Sequence, residues 1–254
     1  MKRILFILIF IIAIITLSCT QLEDVTVPNG GIVMTFDDHH FTNWLQADSL
    51  LNKYDWKATF CVSLIGTRSD SDIARMQRLQ DAGHEIAGHG YLHVYSALYT
   101  ATHGIEKYLE DEITPMIELM EEDSIILRTF AYPYGNRSNF TDNVLFDYFD
   151  ILRGTLNVMR DPEKQKCYFC NSRVIYAIGI DDLLRYFSDE YILNLLSYAH
   201  EEGKILIIYG HRPVDSALGE CQVSFHTLDM ICKFVHDNEM HFYTMSDLAD
   251  FIDQ

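Results

Sequence analysis

The stretch Ile32-Val33-Met34-Thr35-Phe36-Asp37-Asp38 decides the fold. A short apolar run that ends on two adjacent carboxylates reads as a buried strand with a polar tip. Neighbouring acids repel each other unless a metal, another cation or a shared proton compensates them. The tip therefore predicts a site. His89 and His93, and His211 after a later apolar run, are imidazoles that could join it, and Asp with His points to metal binding.

Working outward, strand-like segments occur at 32–36, 58–63, 84–87, 125–131, 149–153, 174–178, 205–209 and 241–244. Most are short apolar runs suited to a parallel sheet buried on both faces. Helical periodicity fills most of the gaps, at 42–54, 71–82, 104–120, 141–148, 189–202, 224–237 and 246–252. Gly83 and Gly203 read as helix ends, and Ser246 with Asp247 as a helix start. Alternation of strand and helix predicts an α/β fold: a distorted (β/α) barrel with a mostly parallel sheet, in a single domain. Only 154–172 breaks the rhythm, as a loop of mixed composition that holds a CxxC and could cover part of a binding face.

The 254 residues suffice for one such domain. Lys and Arg number 19 against 37 Asp and Glu, a formal charge of −18, which argues against a nucleic-acid partner held through phosphates. It favours neutral or cationic substrates. Lys2 and Arg3 precede an apolar run over 4–15, then Thr16-Leu17-Ser18-Cys19. That is the layout of an export signal. The lone cysteine after a small residue resembles a lipoprotein signal, with 1–19 as signal, 20–29 as tether and 30–254 as the domain. An uncleaved anchor is the alternative, because Thr16 stands where an aliphatic residue is usual. Either way the domain is expected to be exported and anchored to a bacterial membrane, facing the periplasm or the cell exterior. Of the remaining cysteines, Cys61 reads as a buried thiol. Disulfides are expected among Cys167, Cys170, Cys221 and Cys232, rather than a zinc knuckle whose spacing fits poorly.

In a parallel barrel the active site lies at the carboxyl ends of the strands. Asp37 and Asp38, His89 and His93, Tyr132 to Gly135, and Gly210 to Arg212 all follow expected strands, so they would meet on one face. Asp38, His89 and His93 would offer one carboxylate and two imidazoles to a divalent metal, leaving positions open for water and substrate.

Thr35-Phe-Asp-Asp38, His89-Gly-Tyr-Leu-His93, Phe130-Ala-Tyr-Pro-Tyr-Gly135, the run from Ile205 to His211, and Phe242-Tyr-Thr-Met-Ser-Asp-Leu248 resemble, in order, the motifs of the polysaccharide deacetylase family, carbohydrate esterase family 4. The resemblance implies metal-dependent removal of N-acetyl groups from an acetylated glycan such as peptidoglycan, a chitin-like polymer or an exopolysaccharide. Asp37 would be the general base, Asp38, His89 and His93 the ligands of a metal, often zinc, and His211 the general acid. The backbone N–H of Tyr134 would face the oxyanion.

The sequence also departs from the family pattern. An arginine that orients the base commonly stands where this chain has Ala131, with Arg128, Arg153 or Arg212 as replacements and Arg153 favoured because it ends an expected strand. The aspartate-tryptophan motif that tunes the acid is not visible, which leaves Asp181 or Asp182. Val94 replaces a usual proline. Tyr132, Arg153 and His39 are further candidates for substrate contact, and Tyr91 and Trp44 for stacking on a sugar, against core packing as the ordinary role of aromatics. An O-acetyl esterase on xylan-like polymers and a non-catalytic carbohydrate-binding relative stay open as alternatives.

Overall fold

Alternation within the strands sets the architecture, because each strand must satisfy two buried faces. The computed structural model describes residues 25–156 and 161–252. In order, it contains β1 (Gly31–Asp38), α1 (Phe41–Leu51), β2 (Thr59–Val62), α2 (Asp70–Asp81), β3 (Glu85–Gly88), α3 (Ser96–His103), α4 (Ile105–Tyr108) and α5 (Thr114–Glu122). Then come β4 (Thr129–Ala131), α6 (Asn139–Leu145), β5 (Ile151–Thr155), β6 (Val174–Gly179), α7 (Asp189–Glu201) and β7 (Ile205–Gly210). The chain closes with β8 (Arg212–Val214), β9 (Gln222–Ser224), α8 (Phe225–Asp237), β10 (His241–Tyr243) and α9 (Ala249–Ile252).

Strands β1 to β7 pair in sequence order and all in parallel, and β1 pairs with both β2 and β7, which closes the sheet into a barrel. β10 adds to the start of β1. Every strand expected from the sequence is present, and the distorted (β/α) barrel is the observed fold. Two elements have no counterpart among the expectations: the helix α3, and the small β8–β9 pair just after His211.

Period-2 alternation divides each strand between two cores. Val33 of β1, Cys61 of β2, Ala87 of β3, Ala131 of β4, Ile151 of β5 and Ala177 of β6 fill the barrel interior. Ile32, Met34 and Phe36 instead join Trp44, Phe60 and the helices in the outer core. The interior is plugged at one end by Met245 and Leu248. There the half-buried carboxylate of Glu85 accepts hydrogen bonds from Thr59, Thr129 and the Ser246 N–H at 2.8–3.0 Å. Polar groups thus close the amino end of the barrel, and the catalytic candidates occupy the other.

The helices start where the sequence supplies caps. Ser188 Oγ accepts the Tyr191 N–H before α7, and Ser224 Oγ accepts the Thr227 N–H before α8. The disulfide expectation is corrected: Cys61, Cys167, Cys221 and Cys232 are free thiols, so no bridge forms among the four later cysteines. Cys167 is buried in the loop before β6, Cys232 is buried on α8 and Cys221 is exposed, so the folded chain keeps them apart. The signal segment over 1–19 with Cys19, and the tether before residue 25, lie outside the described residues. Among those described, no helix is long and apolar enough to cross a membrane.

Candidate active site

Asp37 is the last inward residue of β1, and it arrives at the top of the barrel 3 % exposed. A carboxylate buried this far needs a partner. Arg153 supplies it: Nη2 donates to both carboxylate oxygens, at 2.8 and 2.7 Å. Arg153 is itself fully buried. The register explains why an arginine fits inside a barrel. Arg153 on β5 stands beside Ala131 on β4, and Ala131, Ala87 and Cys61 are small interior neighbours. The Tyr209 ring faces the guanidinium at 5.2 Å. Burial pushes the Asp37 pKa up, but Arg153, His89 and His211 together outweigh it and hold the group below its ordinary value.

Asp38 ends β1 in the left-handed region (φ 84°). His89 follows β3 and His93 ends the next tight loop, also left-handed (φ 61°). One ligand atom from each of Asp38, His89 and His93 lies within 4.8 Å of the others, the only such group among the described residues. His89 Nδ1–H donates to the Ala131 carbonyl oxygen at 2.8 Å. A carbonyl only accepts, so this bond fixes the tautomer and leaves Nε2 as a lone pair. His93 Nε2 lies 3.2 Å from that lone pair and 3.5 Å from Asp38 Oδ1, and its Nδ1 lies 3.1 Å from the Tyr134 hydroxyl.

Burial lowers the pKa of His89 to about 4 against the pull of Asp37, and lowers that of His93 against Asp38. Neutral imidazoles converging with a carboxylate suit a divalent cation. Around them a row of rings forms. His93 packs on Tyr134 at 4.6 Å between centroids, and Tyr134 stacks on Tyr95 at 4.0 Å.

His211, just after β7, lines the same cavity as the histidine pair. Asp181 accepts from it twice, from the backbone N–H at 3.1 Å and from Nδ1–H at 2.6 Å. Burial opposes charge on this ring, but Asp181, Asp37 and Asp38 outweigh it and raise the pKa to about 9. Asp182 has a different task, accepting from Ser224 N and Thr227 Oγ1 to seat α8. Asp37, Asp38, His89, His93, Tyr134 and His211 all line one cavity of about 640 Å³.

The family model described as Polysaccharide deacetylase matches residues 24–148. The chain belongs to the polysaccharide deacetylase family. Among solved structures, the catalytic domain of a peptidoglycan N-acetylglucosamine deacetylase from Eubacterium rectale aligns with 17 % identity and a TM-score of 0.55, over 87 % of this chain and 91 % of that one. A family 4 acetyl xylan esterase from Clostridium thermocellum, solved with a cobalt ion, aligns with 20 % identity and a TM-score of 0.55, over 87 % and 90 % of the two chains. A family pseudoenzyme from Bacillus anthracis aligns with 16 % identity and a TM-score of 0.59, over 88 % and 67 %. At such identities the likeness to these structures establishes the fold. No curated protein sequence matches the chain.

Membership makes the chain a polysaccharide deacetylase by class, and the departures from the family pattern have structural counterparts. The guanidinium that reaches Asp37 comes from β5, at the level of Ala131 on β4. The aspartate that holds His211 is Asp181.

Three candidates for substrate contact are corrected. Tyr132 is fully buried, and its hydroxyl donates to Asp142 at 2.9 Å, so it cannot reach a sugar. His39 is exposed, but it lines a separate depression with Ser63 and Arg68. Arg153 lies behind Asp37 and acts on the carboxylate rather than on substrate. Trp44 is buried, and its Nε1–H donates to the His211 carbonyl oxygen at 3.2 Å. Sequence reading missed Tyr209 and Leu183, which line the cavity, and Tyr95, which stacks on Tyr134. Tyr209 carried one signal, as the polar end of the run 205–209.

Proposed function

We propose that the protein removes N-acetyl groups from an acetylated glycan, such as peptidoglycan, a chitin-like polymer or an exopolysaccharide, as a metal-dependent hydrolase. One observation carries this reading. The Arg153-backed carboxylate of Asp37 and the Asp181-held ring of His211 sit in the same cavity as the Asp38–His89–His93 cluster. Those three residues would hold a divalent cation, with zinc the ion that one carboxylate and two imidazoles suit best. Such a cation supplies Lewis-acid polarisation of the acetyl carbonyl and acidifies water.

The chain's own residues divide the remaining work. Asp37, kept ionised by Arg153, takes the proton of the attacking water as oxygen adds to the carbonyl carbon. The backbone N–H of Tyr134 stabilises the developing oxyanion. His211, protonated at neutral pH, gives its proton to the nitrogen as the C–N bond breaks, releasing acetate and a free amino sugar. A nitrogen leaving group needs that proton, so the raised pKa of His211 favours the amide over an O-acetyl ester. The paired Asp37 and His211 likewise speak against a non-catalytic relative.

Acetate release from N-acetylglucosamine oligomers and from acetylated xylan, with zinc-loaded and chelator-treated protein, tests the reading. Release from the oligomers that is lost on chelation and restored by zinc is expected. Activity on xylan alone would overturn the amide assignment.

The exported, lipid-anchored location is part of the same proposal and rests on Lys2, Arg3, the apolar run over 4–15 and Cys19. Cys19→Ser should move the protein out of the membrane fraction. An unchanged distribution would leave an uncleaved anchor.

A further inference from the structure

Resting on the metal-site reading above, we infer that Glu112 is a positioning residue that pre-forms the loop carrying His89 and His93. Glu112 is wholly buried, yet it is no part of the cluster or of the acid and base pair. The loop folds around it instead. Its backbone carbonyl accepts the Tyr91 N–H at 3.1 Å, Oε2 accepts the Leu92 N–H at 2.6 Å, and Oε1 accepts the Val94 N–H at 3.0 Å. One residue thus takes three of the backbone donors at 91–94. Each would otherwise be an orphan in a turn too tight to pair with itself.

The sequence explains how a helical residue reaches a neighbouring loop. Pro115 sits at the start of α5 and has no N–H to bond the carbonyl four residues back, against which its ring would clash. Between α4 and α5 the helix accordingly opens into a wide π turn over Leu109–Ile113. On that turn the Glu112 carbonyl meets the Tyr91 N–H and its buried side chain meets the loop. Gly90 completes the fit: it has φ +87°, and a Cβ there would run into Glu112 Oε1. Because His93 is held in the left-handed region, which costs energy for a residue with a side chain, the loop needs such external bonds to keep both Nε2 atoms facing Asp38.

Glu112→Gln tests the inference in the full chain with zinc alone as the probe. Gln keeps one acceptor oxygen but turns an NH2 toward the second loop N–H. Calorimetric titration should show zinc binding about 10–100-fold weaker than in the parent, the range for residues that orient metal ligands. In the metal-free protein, hydrogen exchange at Leu92 and Val94 should accelerate while the barrel strands keep their protection. Gly90→Ala, which displaces the same carboxylate, should weaken zinc binding in the same way.

Equal zinc affinity in parent and Glu112→Gln, or weaker affinity with unchanged exchange at Leu92 and Val94, overturns the inference alone. A parent that takes up no zinc overturns the metal reading and this inference with it. If the variants do not fold, exchange in the metal-free parent decides. Protected Leu92 and Val94 amides support the role, and amides exchanging at open-loop rates refute it.

Discussion

Replacing Arg153 with Met removes the one cation that touches Asp37 and leaves most of the side-chain volume. The two side chains are 0 % and 5 % exposed, so solvent screening does not reduce the pair to a surface salt bridge. Breaking a buried pair by removing one partner costs about 3–5 kcal/mol, because the other charge stays buried. For a domain of this size each kcal/mol lowers Tm by about 2–4 °C, so Arg153→Met should melt roughly 6–20 °C below the parent.

The double variant Asp37→Asn/Arg153→Met carries no buried charge and should regain much of that loss. Its coupling energy should be at least about 2 kcal/mol in a double-mutant cycle. The pH dependence should also change sign in chelator-treated protein. In the parent the Asp37 pKa is held below its ordinary value, so its contribution is present above the unfolded value and is lost as pH falls through the folded one. Without Arg153, burial dominates and raises the pKa, so stability should instead decline as pH rises. Thermal melts of the four proteins between about pH 3 and 8 measure both effects. A variant melting within about 2 °C of the parent, or an additive cycle, would refute the assignment of Arg153 as the electrostatic partner of Asp37.

Three further outcomes follow from the site and its surroundings. Asp181→Asn removes the acceptor that helps hold His211 at about 9. Since activity falls as pH rises through the pKa of an acid that must be protonated, the basic limb of kcat/KM should move down by about 1–3 units; an unmoved limb would exclude His211 as the acid. Tyr132→Phe loses one buried hydrogen bond to Asp142 and should cost about 1 kcal/mol of stability in urea unfolding while leaving KM unchanged. A raised KM would restore Tyr132 to the substrate site. Burial raises the pKa of Glu85 above its ordinary value despite bonds from Ser246, Thr129 and Thr59. Its contribution is therefore present at low pH and lost as pH rises, so Glu85→Gln should gain in Tm relative to the parent from about pH 4 to pH 7. A constant difference across that range would contradict the shift.

The eight strands that form the main sheet were legible because a buried parallel sheet writes a short apolar run into the sequence for each strand. Positions just past those runs also told which polar residues would gather, since barrel geometry sends every strand's carboxyl end to one face. Helix α3 was not legible. Its segment Ser96–His103 is short, and only Ser96 and Thr100 are buried, so no apolar stripe marks it. The disulfide expectation failed because cysteine count carries no distance, and the fold places Cys167 and Cys232 in the core and Cys221 at the surface.

The sequence by itself determined the strand order, and with it the meeting of Asp37, Asp38, His89, His93 and His211. Local period and strand-end position are properties of a continuous chain. Tertiary structure alone decided which partners those residues have. Three arginines were open as partners of Asp37, and the pairing of Ala131 with Arg153 across β4 and β5 selected the one whose side chain points inward. Two adjacent aspartates were open for His211, and Asp181 reaches it while Asp182 binds Ser224 and Thr227 at the start of α8. Glu112 on a π turn near the His89–His93 loop has no signature along the chain. Register, facing and burial arise only when strands close, which is why composition and spacing located the site while packing assigned its pairs.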